Sequence, residues 1–182
     1  MSKVKKIILS AILLAILIVL ARFLSIKTPI IRISFGFIPV MLSAVWLGPK
    51  WSTLIGGLGD LIGALLFPSG PFFPGYTLSS ILSGLIYGLI IYKNPSKKYT
   101  DKQFIIRLIV SVFLVLLVVN GVLNTLWIYV TAKEGTTIIA SQRILKQFVM
   151  FPIQIIVIFI LERVLRKPFE KYILDKEETV ND

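Results

Sequence analysis

The chain contains neither cysteine nor histidine. Their absence removes disulfides, thiolate nucleophiles, zinc sites of the usual type and imidazole acid–base chemistry, and with them most hydrolytic mechanisms. Acidic residues are scarce as well, 9 against 20 Lys and Arg, so the formal net charge is +11. In a soluble protein that excess would raise the question of nucleic acid. Here the charges sit in short segments between apolar runs, where membrane topology accounts for them, and no nucleic-acid partner is expected. No Gly-x-x-x-x-Gly-Lys-Ser/Thr string occurs either, which excludes ATP binding through a phosphate loop. The chain also shows no internal repeat.

What is present is apolar surface. Of 182 residues, 56% are hydrophobic, and the mean hydropathy is +0.88, far above that of an ordinary soluble domain. The expectation is a single membrane domain over residues 1–182, an all-α bundle of about six transmembrane helices at roughly 20 apolar residues each. The apolar segments run Ile7–Ile26, Phe35–Leu47, Trp51–Phe67, Tyr76–Tyr92, Phe104–Thr131 and Ile138–Leu165. The first follows MSKVKK but is long enough to span and lacks a small-residue cleavage site, so it reads as a retained helix. The second and third are short and interrupted by Pro39, Gly56 and Gly57, which requires that protein or a cavity cover the freed backbone. Lys and Arg concentrate on one side, leaving Arg22, Lys27, Arg32, Lys133, Arg143 and Lys146 to the other. The positive-inside rule then predicts both termini in the cytoplasm.

The stretch Arg32–Ser80 joins membrane-grade hydropathy to Gly, Pro, Ser and one carboxylate, Asp60. An ionisable residue in an apolar run is costly and marks function by default. Two roles are open for Asp60: bracing or lining a polar cavity, or serving as a scaffold carboxylate among the close-packed Gly56, Gly59 and Gly63. Asn120, Asn124 and Trp127 share a helical face, where two amides and an indole would suit a flat heterocycle, or would simply bond between helices. Arg143, Lys146 and Gln147, followed by Gln154 on much the same face, combine with Arg32 to make the outer side attractive to an anionic solute. The loop Pro68–Gly75 is shaped by its prolines and glycines, and Phe72 and Phe73, with Tyr76 just after, either cap a mouth or anchor at the interface. Ala11 and Ala15 have the small-x-x-x-small spacing that allows close helix approach.

The strings RISFGFIPVMLSAVWLGP, GGLGDLIGALLFPSGPFFPG and LSGLIYGLIIY resemble the substrate-binding S components of energy-coupling factor (ECF) vitamin transporters, the folate-specific ones in particular. The resemblance spans nearly the whole chain, from Ala11 through the Arg143–Pro152 region. It implies the six-helix S-component fold in a bacterial cell membrane, no enzymatic activity and no cofactor or metal. It further implies capture of folate or a related pterin on the outer side, and delivery to a transmembrane coupling subunit with two ATPases, docked through Ala11 and Ala15. The residues fit such a ligand: Asn120, Asn124 and Trp127 for the pterin, and Arg32, Arg143, Lys146 and Gln147 for the glutamate tail. The pterin is expected deep, because carboxylates are costly to bury. The alternatives are another vitamin, riboflavin above thiamine because thiamine is cationic, a membrane enzyme pairing Asp60 with Glu162, or a subunit with no ligand.

Overall fold

The computed structural model describes residues 2–27, 32–68, 72–93, 100–131 and 136–174. Helix α1 (Lys3–Ile18) passes without a break into a π-helical turn at Val19–Phe23. A two-residue antiparallel ribbon follows, β1 (Ile26–Lys27) against β2 (Arg32–Ile33), with Ile26 opposite Ile33. Then come α2 (Phe37–Leu47), α3 (Pro49–Leu66) and α4 (Pro74–Ile91). A fifth rod consists of α5 (Asp101–Leu114), a π-helical segment Val115–Leu123 and α6 (Asn124–Thr131). The last is α7 (Thr136–Leu174), which carries Pro152 and Pro168 within it.

Local chemistry explains where the rods begin. Ser2 caps α1 by accepting from the Lys5 amide, and Thr100 with Gln103 forms a reciprocal capping box at α5. Pro49 and Pro74 stand in the first turns of α3 and α4, where a missing amide hydrogen costs nothing. The corner between α2 and α3 is Gly48 at φ 85°, a conformation that a side chain would strain.

Among the described residues, four rods are long and apolar enough to cross a membrane: Lys3–Phe23, Pro74–Ile91, Asp101–Thr131 and Lys146–Phe169. They turn Ile8, Ile12, Phe113, Leu117, Phe148 and Ile160 outward, as expected where the surrounding solvent is itself hydrocarbon. The shorter α2 is wrapped by protein: Met41, Ala44 and Val45 are fully buried at the centre of the core. Its chain neighbour α3 is spliced to α4 through small residues. A methyl group on Gly56 would lie 2.6 Å from the Ser80 carbonyl, while Gly84 and Gly88 receive the backbone of Ser52 and Pro49. The hydroxyl of Ser52 donates to the Gly84 carbonyl at 2.7 Å, which such close approach permits. Gly59 and Gly63 face the other way, against Leu17 and Arg22 of the first rod.

One end of the bundle is tied by charge. Glu162 of α7, 1% exposed, accepts from Lys93 Nζ at 2.7 Å and from Arg166 Nε and Nη2 at 3.0 and 2.8 Å. Arg166 also reaches Asp101 Oδ1 at 3.1 Å. The end of α4, the start of α5 and α7 are thereby joined, and each buried ion is paired and hydrogen-bonded as burial demands.

Candidate functional site

A cavity of about 690 Å³ lies within the bundle, and every rod contributes to its wall. That volume is in the range of small-molecule sites. The stripes that line it follow helical spacing. From α4 come Tyr76, Ser80, Ser83 and Tyr87; from the fifth rod Val115, Leu116, Asn120 and Asn124; from α7 Lys146, Gln147, Met150 and Gln154. Arg22, Gly36, Phe37, Val40, Gly59 and Asp60 complete the enclosure on the side of the first three rods.

The lining of this cavity is mixed. Lys146 and Gln147 lie at one level of α7, while Met150 and Gln154 sit one and two turns further along, and the buried Tyr87 and Val115 line the same cavity. Isolated amides and hydroxyls thus stand among apolar side chains. Asn124 Nδ2 donates to Asn120 Oδ1 at 2.9 Å, which leaves Asn124 Oδ1 as an acceptor. That oxygen and Gln154 Oε1 are buried and have no hydrogen-bond partner among the described residues. Buried acceptors without a donor are rare and costly. Two of them in one cavity suit a ligand that carries N–H groups.

Asp60 lines the cavity and is held in place, since Thr77 Oγ1 donates to its Oδ2 at 2.8 Å. Arg22 lies flat across Gly63, where an added methyl would stand 2.6 Å from Nε, and its guanidinium reaches the Asp60 and Phe67 carbonyls at 3.4 Å. The glycine is what lets a cation lie at this wall.

Among the residues expected from sequence to form the site, Tyr76, Asn120, Asn124, Lys146, Gln147 and Asp60 come together around the cavity. Trp127 is placed differently. Its Nε1 donates to Ser79 Oγ at 3.0 Å, and its ring tilts against Phe73 with centroids 5.6 Å apart. Phe73 in turn meets Tyr76 edge-on at 5.9 Å. The indole thus clasps the segment leading into α4 and stands behind the lining. Phe72 is exposed at 44%. Arg32 falls in β2 and Arg143 in α7, and both side chains lie outside the described residues. Ala11 and Ala15 are exposed on α1, beside Ile8, Ile12 and Ile16.

Sequence reasoning missed Arg22, Ser80, Ser83 and Tyr87 as lining residues. A signal existed for the first, because a charge inside an apolar run carries the same weight there as it does for Asp60. On α4 the spacing 76, 80, 83, 87 marks a polar face next to the small-residue stripe that attracted attention. Glu162, the other carboxylate weighed for a membrane enzyme, is taken up by Lys93 and Arg166 and is not among the lining residues.

Residues 5–162 match the family model of the ECF transporter substrate-specific component. The chain is 39% identical over 159 residues to the folate transporter FolT of Clostridium novyi, covering 87% of this chain and 88% of that one. It is 38% identical over 156 residues to the folate transporter FolT of Leuconostoc mesenteroides, covering 83% and 80%. A crystal structure of FolT bound with folic acid superposes with a TM-score of 0.72 at 34% identity, over 85% of this chain and 89% of that one.

Proposed function

The chain belongs to the substrate-specific components of ECF transporters, non-enzymatic subunits of membrane transport systems, and on that footing we propose that it captures folate at the outer face of a bacterial cytoplasmic membrane. The observation that carries the reading is the cavity itself: walled by every rod of the bundle, lined by the cations Arg22 and Lys146, and carrying two buried amide oxygens, Asn124 Oδ1 and Gln154 Oε1, that have no partner among the described residues. Relatives bearing the name of folate transporters support it.

Folate has a flat pterin with N–H donors on its edge, an aminobenzoate ring and a glutamate tail with two carboxylates. Asn124 and Gln154 accept from the pterin, between the apolar surfaces of Val115, Leu116 and Met150. The tail points to Lys146 and Gln147, joined by Arg32 and Arg143 from the outer segments. This order places the ring where desolvation is cheap and the carboxylates where cations and water remain. Phe73, braced by Trp127, and Tyr76 cover the mouth, with Phe72 beside them.

Delivery falls to partners, because the chain has no phosphate loop of its own. Ala11 and Ala15 on the exposed face of α1 are the docking site for the transmembrane coupling subunit, which acts with two ATPases. Both termini lie in the cytoplasm, in line with the Lys and Arg distribution. The test is to purify the protein in detergent, identify co-purified small molecules by mass spectrometry, and titrate folate and riboflavin while following tryptophan fluorescence. Saturable quenching by folate alone is expected. No co-purified folate and no saturable response would refute the assignment.

A further inference from the structure

The last turns of α7 carry Arg163, Lys167 and Lys171 at four-residue spacing, so the three side chains lie along one face of the helix. All three are exposed, and among the described residues none of them forms an ion pair. Glu162 and Asp101 at this end are engaged by Lys93 and Arg166, and the side chain of Glu170 lies outside the described residues. Four residues rise about 6 Å, so the cations extend over roughly 12 Å of helix. The apolar span of α7 closes at Phe169, which sets the stripe across the boundary where hydrocarbon gives way to headgroups.

The neighbouring residues fit that level. Val164, between the basic positions, is 63% exposed. Phe169 stacks on Trp46 with centroids 4.5 Å apart, an aromatic pairing suited to the interfacial belt. Lys50 and Lys102, at the starts of α3 and α5, are also exposed at this end of the bundle.

We propose that the face Arg163–Lys167–Lys171 binds anionic phospholipid headgroups, with lipid phosphates against the three cations and acyl chains along Val164. A soluble anion would explain the charges but not the exposed valine on the same face. A lipid satisfies both, and polybasic segments just beyond a span attract anionic leaflets. The proposal stands apart from the identity of the transported ligand.

The test uses the full chain in nanodiscs of phosphatidylcholine containing a minor share of phosphatidylglycerol, followed by native mass spectrometry of the lipids retained on extraction. Wild type is expected to retain phosphatidylglycerol above its share in the disc. The triple variant Arg163→Gln, Lys167→Gln, Lys171→Gln should lose that enrichment by about tenfold, with its thermal midpoint unchanged. Should the triple variant fold poorly, the same reading requires that wild-type enrichment fall as ionic strength rises from about 0.05 to about 0.5 M. Equal retention of both lipids by wild type would overturn the proposal. So would a triple variant that keeps its phosphatidylglycerol but no longer co-purifies with the transport module, since the face would then be a protein interface.

Discussion

Replacing Gln154 with Met should move stability and affinity in opposite directions. Gln154 Oε1 is buried at the cavity without a hydrogen-bond partner among the described residues. An unsatisfied buried acceptor costs about 1–3 kcal/mol, a cost borne by the ligand-free protein. Methionine has nearly the same length and flexibility but no amide, so the empty variant should gain about 1 kcal/mol, or about 2–4 °C in thermal midpoint for a chain of this size. In the complex the balance reverses. A pterin N–H that met Gln154 would lose its acceptor and remain buried, at about 1–3 kcal/mol, which is about five- to 150-fold in affinity. Asn124→Leu gives a useful contrast, because Asn124 also donates to Asn120; that substitution should weaken binding without the gain in stability. The assay pairs folate titration by tryptophan fluorescence with thermal unfolding in detergent. If Gln154→Met binds folate within twofold of wild type, or if its midpoint falls along with its affinity, then Gln154 is a packing residue and the assignment of the deep cavity fails.

Two further outcomes follow from the same structure. Glu162→Gln leaves Lys93 and Arg166 without their shared carboxylate and should destabilise the bundle by about 3 kcal/mol; the folded fraction should still bind folate, so loss of binding in a folded variant would tie this end to the cavity. Ala11→Trp or Ala15→Trp, on exposed positions of α1, should abolish folate uptake by whole cells and spare binding to the isolated subunit. Impaired binding would instead mean that these alanines pack inward.

The membrane class, the apolar runs and the polar residues of the fifth and last rods were legible because each rests on composition or helical spacing. Asn120, Asn124, Lys146 and Gln147 could be named from a 3.6-residue period, and the cavity gathers all four. The roles of the small residues were less legible. Gly56, Gly59 and Gly63 look like one stripe along α3, yet Gly56 meets α4 while Gly59 and Gly63 meet α1 and its π turn. Spacing shows that neighbours approach closely and says nothing of which neighbour. Trp127 illustrates a second limit. Spacing groups its indole with the amides, yet Ser79 offers Trp127 Nε1 a buried partner on α4 and Phe73 takes its ring, and neither partner can be read from the segment that carries the indole.

By itself, then, the sequence determined the solvent and the chemistry. Its hydropathy calls for a bilayer, the missing His and Cys narrow the chemistry open to it, the missing phosphate-loop string removes that one route to ATP, and its charge asymmetry predicts a topology. The tertiary structure decided the pairings. Only the packing of six rods shows that Arg22 can lie over Gly63 beside Asp60, that Glu162 is spent on a three-rod tie, and that two amide oxygens from different rods are left facing one cavity. The reason is physical: hydropathy and period are properties of single segments, whereas a satisfied or orphaned polar group depends on what a distant segment brings to it.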